Sequence, residues 1–316
     1  MRRTRRWLPA AAICLAGTLA LASVAQATFP GRNGRIAFVD YVTGQLFTIH
    51  PDGHGLRKLT DFGPKYRATT PDWAPGGGQL IFALQGDNRI WTVRADGTDL
   101  HPLANDTPGF RDMAPTYTPS GRQIVFARCQ PGDGVCAIWK MHSDGSHKRA
   151  LTPYRTGQDE TVDFDPAVSP NGKRIAFARF FGGGFSARVF VMGINGSHPH
   201  AITPARLEAF SPDWAPNGRR IAVGSAAPRL GSSIYTIKPN GKGVRRVGRS
   251  HFPNNDFQSV YSPDGKRFAF NSDRRYKDLC CVDLFTMGLK GGRQRLVNRS
   301  FRNHGILSPV WESLPR

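Results

Sequence analysis

Arginines stand next to aromatic residues in four turn-rich segments of this chain. The four segments are Lys65-Tyr66-Arg67, Phe110-Arg111-Asp112, Tyr154-Arg155 and Phe301-Arg302-Asn303-His304. A guanidinium offers a planar fork of donors to carboxylate or phosphate groups, and an aromatic ring offers a stacking face. If these segments converge, Arg67, Arg111, Arg155, Arg302 and His304 could bind an anionic or sugar-like ligand. The alternative is that they are separate, solvated loop residues.

Acidic residues form one local cluster, made of Asp159, Glu160, Asp163 and Asp165. Calcium is a hard cation that takes oxygen ligands, so this cluster is the place where the sequence could bind it. The spacing is not that of an EF-hand loop, and a turn-rich loop that balances nearby arginines is the simpler interpretation. We therefore expect no cofactor, with calcium as the cation to test.

Four cysteines lie beyond the N-terminal region. Cys129 and Cys136 flank a turn-rich loop between two strand patterns, so they lie across the mouth of a hairpin and are predicted to form a disulfide. Cys280 and Cys281 are adjacent in sequence, where they either form a strained ring or place one thiol in the core. No pair has the spacing of a zinc site.

Motifs of common enzyme classes are missing from the sequence. It contains no G-x-S-x-G nucleophile turn and no H-E-x-x-H zinc motif, and its glycine run Gly182-Gly183-Gly184 lacks the following Lys-Ser/Thr of a phosphate loop. The nine histidines are dispersed. These observations favour a protein without catalytic activity.

The first 27 residues have the organisation of a secretory signal. Four arginines precede an apolar run over residues 8–25, and Ala25-Gln26-Ala27 fits an A-x-A cleavage site, so the mature chain is expected to begin at Thr28. The alternative is an uncleaved membrane anchor. Cleavage predicts a secreted protein, or one of the periplasm or cell envelope, with no membrane span after the leader.

The formal net charge of the whole chain is +20, to which the leader contributes four positive charges. Nucleic acid is the usual partner of so basic a chain. Because export separates the protein from nucleic acid, an envelope protein or an anionic cell-surface polymer is the expected partner. The alternative is an arginine-rich composition with no specific partner.

A repeated motif runs through the mature chain. It reads Pro71-Asp72-Trp73-Ala74-Pro75-Gly76-Gly77 in one copy and recurs with variations, and the first apolar residue after it falls at positions 80, 124, 175, 221 and 268. A repeat of 44 to 51 residues is typical of four-stranded propeller blades. Between these copies, strands with alternating large apolar residues are followed by Asp-Gly, Asn-Gly or Gly-Gly turns, which favour tight hairpins.

Six such units predict an all-β, six-bladed propeller with four antiparallel strands in each blade. The composition agrees, because the chain has 35 Gly, 24 Pro and only three Glu, which disfavours an all-α fold. The first unit lacks a Trp-type strand, and the last Trp-type strand, around Trp311, has no unit after it. We therefore predict that the C-terminal strand completes the first blade, and that residues 28–316 form a single domain after the 1–27 signal.

The P-D-W-A-P-x-G motif and the motif S-P-D-G-K-R-F-A-F at residues 262–270 resemble the repeats of TolB-type propellers, a WD-repeat-like superfamily. The resemblance extends over residues 29–316 and implies the fold. A full resemblance to TolB would imply a small α/β domain before the propeller. We expect no such domain here, because too few residues precede Phe29 to form it. Propellers include binding scaffolds, lactonases and peptidase gates, so the resemblance implies no single function.

Position within the repeat defines a second set of candidates. Strand A denotes the Trp-type strand of each unit, and strands B, C and D follow it outward. Five residues before the strand A aromatic the chain has Asp112, Asp163 and Asp256, and Glu208 lies nearby in another unit. Strict alternation along strand A would give it one bulky and one small or polar face. A lactonase-like propeller needs a central metal held by carboxylates, and these four residues are the ones that could supply them.

In a propeller the D–A and B–C connections share one face, and here those connections vary while the A–B and C–D turns are uniform. Variable loops on a rigid scaffold are where binding usually resides. The sequence thus predicts a secreted, monomeric, non-enzymatic scaffold that binds an envelope component through its variable-loop face. A metal-dependent hydrolase or lactonase with a central acidic site is the alternative.

Overall fold

The computed structural model describes residues 26–103, 107–132, 134–182, 186–226, 232–248, 255–276, 282–299, 301 and 305–316. In this part of the chain, β-strands form six sheets, and the helical residues belong to two 3-10 turns at Gly157–Asp159 and Ala205–Leu207. The fold is a six-bladed β-propeller with four antiparallel strands per blade, as predicted.

The strands follow the chain in blade order. A two-residue strand, β1 (Gln26–Ala27), comes first. Blade 1 contains β2 (Arg32–Asp40), β3 (Leu46–Ile49) and β4 (Arg57–Lys58). Blade 2 contains β5 (Arg67–Trp73), β6 (Gln79–Gln85), β7 (Arg89–Arg94) and β8 (His101–Pro102). Blade 3 contains β9 (Arg111–Tyr117), β10 (Gln123–Cys129), β11 (Cys136–His142) and β12 (Arg149–Ala150).

The second half of the ring repeats this order. Blade 4 contains β13 (Thr161–Val168), β14 (Arg174–Phe181), β15 (Ser186–Gly193) and β16 (His200–Ala201). Blade 5 contains β17 (Ala209–Trp214), β18 (Ile221–Ser225), β19 (Ser233–Ile237) and β20 (Arg245–Val247). Blade 6 contains β21 (Asp256–Tyr261), β22 (Arg267–Ser272), β23 (Asp283–Gly288) and β24 (Arg295–Leu296), and β25 (Ile306–Leu314) ends the chain.

Strand β25 is strand A of blade 1, which confirms the predicted closure. It pairs antiparallel with β2 from Arg32 opposite Leu314 to Asp40 opposite Ile306. The strand A of every blade contacts the strand A of the next, and β25 contacts both β21 and β5. The ring is therefore continuous, and the first blade has no unpaired inner edge.

Hydrophobic contacts between neighbouring blades form the core. Trp73 of blade 2 packs in one cluster with Ala37, Val39 and Val310 of blade 1, and Trp214 of blade 5 packs in another with residues of blade 4. Both indole side chains are at least 98% buried. The strand A aromatics are thus core residues, which agrees with their recurrence in the repeat.

Each strand A has a residue with positive φ, three positions before its strand A aromatic or, in blade 4, before Val168. These residues and their φ values are Thr70 (49°), Ala114 (48°), Asp165 (53°), Ser211 (47°), Gln258 (48°) and Ser308 (58°). The pairing of strand A with strand B shifts at this point in all six blades. The expected strict alternation along strand A is therefore wrong, because a β-bulge interrupts it.

The bulges also join one blade to the next. Thr70 Oγ1 accepts a hydrogen bond from the Ala114 backbone N at 3.1 Å, and Gln258 Oε1 accepts one from the Ser308 backbone N at 3.1 Å. A residue with positive φ costs conformational energy unless it is glycine, and these contacts compensate part of that cost.

The N-terminal segment lies against the inner strands. The backbone of β1 pairs in parallel with β17, with Gln26 opposite Asp213 and Ala27 opposite Trp214. Thr28 and Phe29 are buried, and Phe29 packs in the core cluster that includes Tyr117 and Val168. Among the described residues, the structure contains no helix that is long and apolar enough to cross a membrane. Of the predicted leader, residues 1–27, the first 25 residues lie outside them and the last two form β1.

Candidate functional site

Three arginines of the variable-loop face lie on three consecutive blades. Arg67 is the first residue of β5 and Arg111 the first residue of β9, each six positions before the strand A aromatic. Arg155 forms an isolated bridge with Thr161, the first residue of β13. We call Arg67, Arg111 and Arg155 the basic arc. In blade 5, Glu208 occupies the register of Arg67 and Arg111, so the arc does not continue there.

The three side chains differ in their burial and in their contacts within the protein. Arg67 is half-buried, donates to the Tyr41 carbonyl oxygen and lies 5.3 Å from the centre of the Tyr41 ring. Arg111 and Arg155 are exposed, and no ion pair of the described residues includes either one. Arg111 also lines a cleft with Gly86 and Asn88 of the neighbouring blade. Arg111 and Arg155 are thus charged side chains without an acidic partner among the described residues.

The aromatic residues beside these arginines point into the blades. Phe110 lies against Arg128, with 5.6 Å between the ring centre and the guanidinium carbon, and Tyr154 packs on Trp139 at a ring distance of 6.4 Å. Phe301 packs on Phe47 at 5.0 Å. Only Tyr66 among the described members of the set is an exposed ring. Neighbouring aromatic and arginine residues therefore do not form a shared binding surface, because most of the rings pack into the blades.

Three of the predicted acidic site residues form ion pairs within their own blades. Asp112 accepts two hydrogen bonds from Arg128, at 2.6 and 2.8 Å, and Asp163 accepts two from Arg179, at 2.6 and 2.7 Å. In blade 6, Arg274 donates to Asp256 at 2.5 Å. All three carboxyl groups are buried. Glu208, the fourth candidate, is half-buried and has a left-handed backbone with φ 44°.

Each of these guanidinium groups also stacks on the aromatic residue of strand C. The distances from the guanidinium carbon to the ring centre are 4.9 Å for Arg128 over Trp139, 4.8 Å for Arg179 over Phe190 and 4.8 Å for Arg274 over Phe285. A buried ion pair is tolerated when hydrogen bonds and ring faces replace the lost water. The charge of each carboxylate is thus balanced inside its blade.

The acidic cluster does not converge on one point. Asp163 faces Arg179, while Asp165 lies at the bulge of strand A and accepts a hydrogen bond from Ser211 at 3.4 Å. Of the other two, Asp159 has a side chain outside the described residues, and Glu160 is half-buried. In the described ranges, no three His, Cys, Asp or Glu side chains form a group that could hold a metal ion.

The remaining candidates are the cysteines and the last loop. Cys129 and Cys136 are opposite each other in the β10–β11 pair and form a disulfide, with their Cα atoms 4.0 Å apart. The predicted site residues Arg302 and His304 lie outside the described part of the structure, as do Cys280 and Cys281.

Two buried carboxyl groups were not singled out from the sequence. Asp72 Oδ2 accepts the backbone N–H of Tyr117 at 2.9 Å, and Asp213 Oδ2 accepts that of Tyr261 at 2.7 Å, so each acid caps the next blade. Desolvation raises the pKa of Asp72 to about 7 and the pKa of Asp213 well above its ordinary value. The signal in the sequence was the P-D-W triplet, which only blades 2 and 5 contain.

The amino-acid sequence of this chain is similar to sequences of known proteins. Residues 157–313 match the sequence family described as TolB beta propeller domain. A protein named "Protein TolB homolog" from Chlorobium luteolum is 29% identical over 144 residues, which are 45% of this chain and 30% of that protein. The chain is a TolB-type β-propeller. The matched segment spans less than a third of that relative's length.

Solved structures of other proteins have the same fold as this TolB-type propeller. TolB from Acinetobacter baumannii has a TM-score of 0.69 and 16% identity, over 90% of this chain and 67% of that one. The hydrazine synthase of Kuenenia stuttgartiensis has a TM-score of 0.70 and 13% identity, over 91% of this chain and 48% of that one. At these identities the likeness concerns the fold, because the same propeller carries different functions.

Proposed function

We propose that this TolB-type propeller is an exported, non-enzymatic scaffold whose basic arc binds an anionic polymer of the cell envelope. The observation that carries the proposal is the contrast between two groups of arginines. Arg128, Arg179 and Arg274 are each paired with a buried acid, whereas Arg111 and Arg155 are exposed, and no acid of the described ranges pairs with them. Charges that the fold does not use remain for a ligand.

The position of the arc supports the proposal. Arg67 and Arg111 begin the inner strands of adjacent blades, so their spacing is set by the rigid ring and not by loop motion. The net charge of +20, less the four positive charges of the leader, adds long-range attraction for a polyanion. The leader pattern supports export, which brings the protein to the envelope.

The test replaces the arc in the secreted protein. Arg67→Ser, Arg111→Ser and Arg155→Ser are combined, and binding to dextran sulfate, a soluble model of an anionic polymer, is measured by calorimetry at several salt concentrations. Because each exposed ion pair contributes up to about 1 kcal/mol, we expect the affinity to fall at least about fivefold. The salt dependence should also become weaker, since fewer charges are screened.

The matched control changes four arginines on or beside the outer strands. Arg245, Arg246, Arg293 and Arg295 are all exposed. Their replacement by Ser removes more charge than the triple variant but leaves the arc intact. If this control loses binding and the arc variant does not, the polymer binds the rim and the proposed face is wrong. If the arc matters only for capture of an envelope protein and not for dextran sulfate, the partner is a protein.

A metal-dependent hydrolase is the competing function, and a metal survey separates the two. The secreted protein is exchanged into metal-free buffer and its divalent ions are measured by mass spectrometry. A tightly held ion at one equivalent, lost in Asp256→Asn, would replace the scaffold proposal with a metal centre. We expect less than about one tenth of an equivalent, because the three buried acids already face arginines.

A further inference from the structure

The first residues after the predicted cleavage site are bound inside the ring. The backbone N of Thr28 donates to Asp213 Oδ1 at 3.2 Å, and Thr28 Oγ1 lies 3.2 and 3.3 Å from the two carboxylate oxygens. Thr28 Oγ1 also donates to the Tyr261 carbonyl oxygen at 3.0 Å. Thr28 is 4% exposed and Asp213 is fully buried. The start of the mature chain is therefore held by named contacts.

Asp213 has only uncharged partners in these contacts. Its carboxylate accepts from the backbone N–H groups of Thr28 and Tyr261 and lies 3.2 Å from the Thr28 hydroxyl, and no ion pair of the described ranges includes it. The three inter-strand acids Asp112, Asp163 and Asp256 each have a guanidinium instead. A buried carboxylate without a cation is costly, so a cation at this place would stabilise the ring.

We infer that removal of the leader supplies this cation, because hydrolysis of the Ala27–Thr28 bond creates an α-ammonium at Thr28 that binds the Asp213 carboxylate. Water adds across the peptide bond, and an export peptidase is the catalyst. Ala27 keeps the oxygen as a new carboxylate and departs with the leader, while the Thr28 nitrogen gains a hydrogen and a proton. The inference depends on cleavage after Ala27, which the A-x-A pattern predicts.

The geometry needs little adjustment for this ion pair. The nitrogen that becomes the ammonium already lies 3.2 Å from a carboxylate oxygen, and its side-chain hydroxyl stays on the same carboxylate. A charge-assisted hydrogen bond is roughly twice as strong as a neutral one. Cleavage also removes β1, so the ion pair compensates for the lost backbone pairing with β17.

The inference sets an order of events during export. Thr28 is buried in the closed ring, so a peptidase must cut the Ala27–Thr28 bond before blade 5 and blade 6 close around it. The free terminus then enters the folding ring and binds Asp213. In a chain cut after Ala27, the Thr28 ammonium would hold the N-terminus on Asp213. A chain cut elsewhere would lack the ammonium at this position.

The test compares two N-termini in two backgrounds. One protein begins at Thr28, and the other retains Gln26-Ala27 in front of it; both are made with Asp213 and with Asp213→Asn. At pH 7 the chain beginning at Thr28 should have the higher urea midpoint, and the difference should vanish with Asp213→Asn. Raising the pH should remove it as well, because an ammonium bound to a carboxylate contributes stability below its unfolded pKa of about 8 and loses it as it deprotonates.

Asp72→Asn is the matched control, because Asp72 has the same register in blade 2 and accepts the backbone N–H of Tyr117 as Asp213 accepts that of Tyr261. The charge of Asp72 also contributes to the raised pKa of Asp213, after the larger effect of burial, so this variant measures that influence as well. It should shift both chains alike and preserve most of their difference.

A second measurement does not depend on any variant. The acylation rate of the Thr28 amine should rise with pH at a higher pH in the native protein than in an unfolded chain, since only the free base reacts, whereas burial of Thr28 slows the reaction at every pH. Equal urea midpoints for the two N-termini, or an acylation rate that rises at the same pH as in the unfolded chain, would overturn the inference even if Asp213→Asn does not fold.

Discussion

The buried aspartate–arginine pairs show how one residue position changes its role around the ring. Asp112 and Asp163 lie directly opposite Arg128 and Arg179 in their strand pairs. At the same register Ala68 is opposite Leu84, and Ala209 is opposite Ser225. An acid occurs only where the same blade supplies a guanidinium, so the pair belongs to the blade's internal packing.

The first prediction concerns the pair in blade 4. Asp163→Ala should lower the free energy of unfolding by about 3–5 kcal/mol, because it leaves the Arg179 charge buried without a partner. The Asp163 and Arg179 side chains are 1% and 9% exposed. Replacing both, with Asp163→Ala and Arg179→Met, should recover most of that loss. Urea denaturation of the three proteins measures both effects.

A surface pair provides the comparison. Lys58 and Asp61 form an ion pair at 2.5 Å with side chains that are 45% and 85% exposed. Asp61→Ala should cost less than about 1 kcal/mol. If Asp163→Ala proves as mild as this, the blade 4 pair does not neutralise a buried charge, and the carboxylate would become available as a ligand.

The second prediction follows from Asp72. Burial raises its pKa to about 7, so the folded protein retains a proton that the unfolded chain loses near pH 4. The stability from the protonated form is complete below about pH 4 and declines as the pH rises to about 7. Asp72→Asn should therefore lose less stability than the native protein between pH 4.5 and pH 7.5. Parallel stability curves for the two proteins would contradict this.

At the residue scale, the sequence predicted the positions of the acidic side chains but not the arginines that pair with them. Counting within the repeat located Asp112, Asp163 and Asp256 correctly on strand A or at its start. It did not reveal that arginines lie opposite, because the partner comes from strand B about 16 residues later. A comparison of units would have found this signal, since Arg128 and Arg179 follow the same strand B pattern.

At the scale of strands, ring closure gives the third prediction. Deleting residues 307–316 removes most of β25, so β2 loses its partner and Trp311 leaves the core. We expect a fall in melting temperature of more than about 10 °C, or loss of folding, because a large aromatic and a full strand pair are removed. Differential scanning calorimetry measures it.

A shorter truncation controls for the loss of chain length. Removing only Pro315 and Arg316 leaves β25 whole and breaks one exposed hydrogen bond, from Arg32 to the Pro315 carbonyl. That protein should melt within about 2 °C of the full chain, as expected for a surface change. Equal melting of the longer truncation would show that β25 is not needed to close the ring.

The fourth prediction concerns the hairpin of blade 3. Replacing Cys129 and Cys136 by Ala opens the loop between β10 and β11, and the chain-entropy account assigns such a loop about 2–3 kcal/mol. Urea denaturation in the absence and presence of reductant measures this. The double variant should be insensitive to reductant, and recovery of both cysteines as free thiols from exported protein would show that the bond does not form.

The periodicity of strands and turns predicted the blades and their order, because it depends on local alternation and on Gly-containing turns. The bulge in strand A was not predicted. No glycine marks it, and the residues there, such as Thr70 and Ser211, have no preference for positive φ. The contacts between blades impose this conformation, and a single strand contains no trace of them.

At the scale of the whole molecule, the distribution of charge separates packing from binding. Arg128 and Arg179 in the blades are paired and stacked, whereas Arg111 and Arg155 on the loop face and Arg245 on the rim are exposed. The sequence predicted the face from loop variability, but it could not predict which aromatic rings turn inward. The basic-arc variant and the outer-strand control described above test whether the exposed arginines of the loop face, and not those of the rim, bind the polymer.

Closure by β25 also decides when the protein can fold. Arg32 bonds to Pro315, 283 residues later, so blade 1 remains incomplete until the last residues are available. Bringing such distant segments together costs loop entropy before any contact repays it, which makes folding slow. Until β25 pairs with it, β2 has a free inner edge, and a free strand edge is where we expect association with other chains. The strand that closes the finished ring thus leaves the edge of β2 open for as long as the last residues are missing.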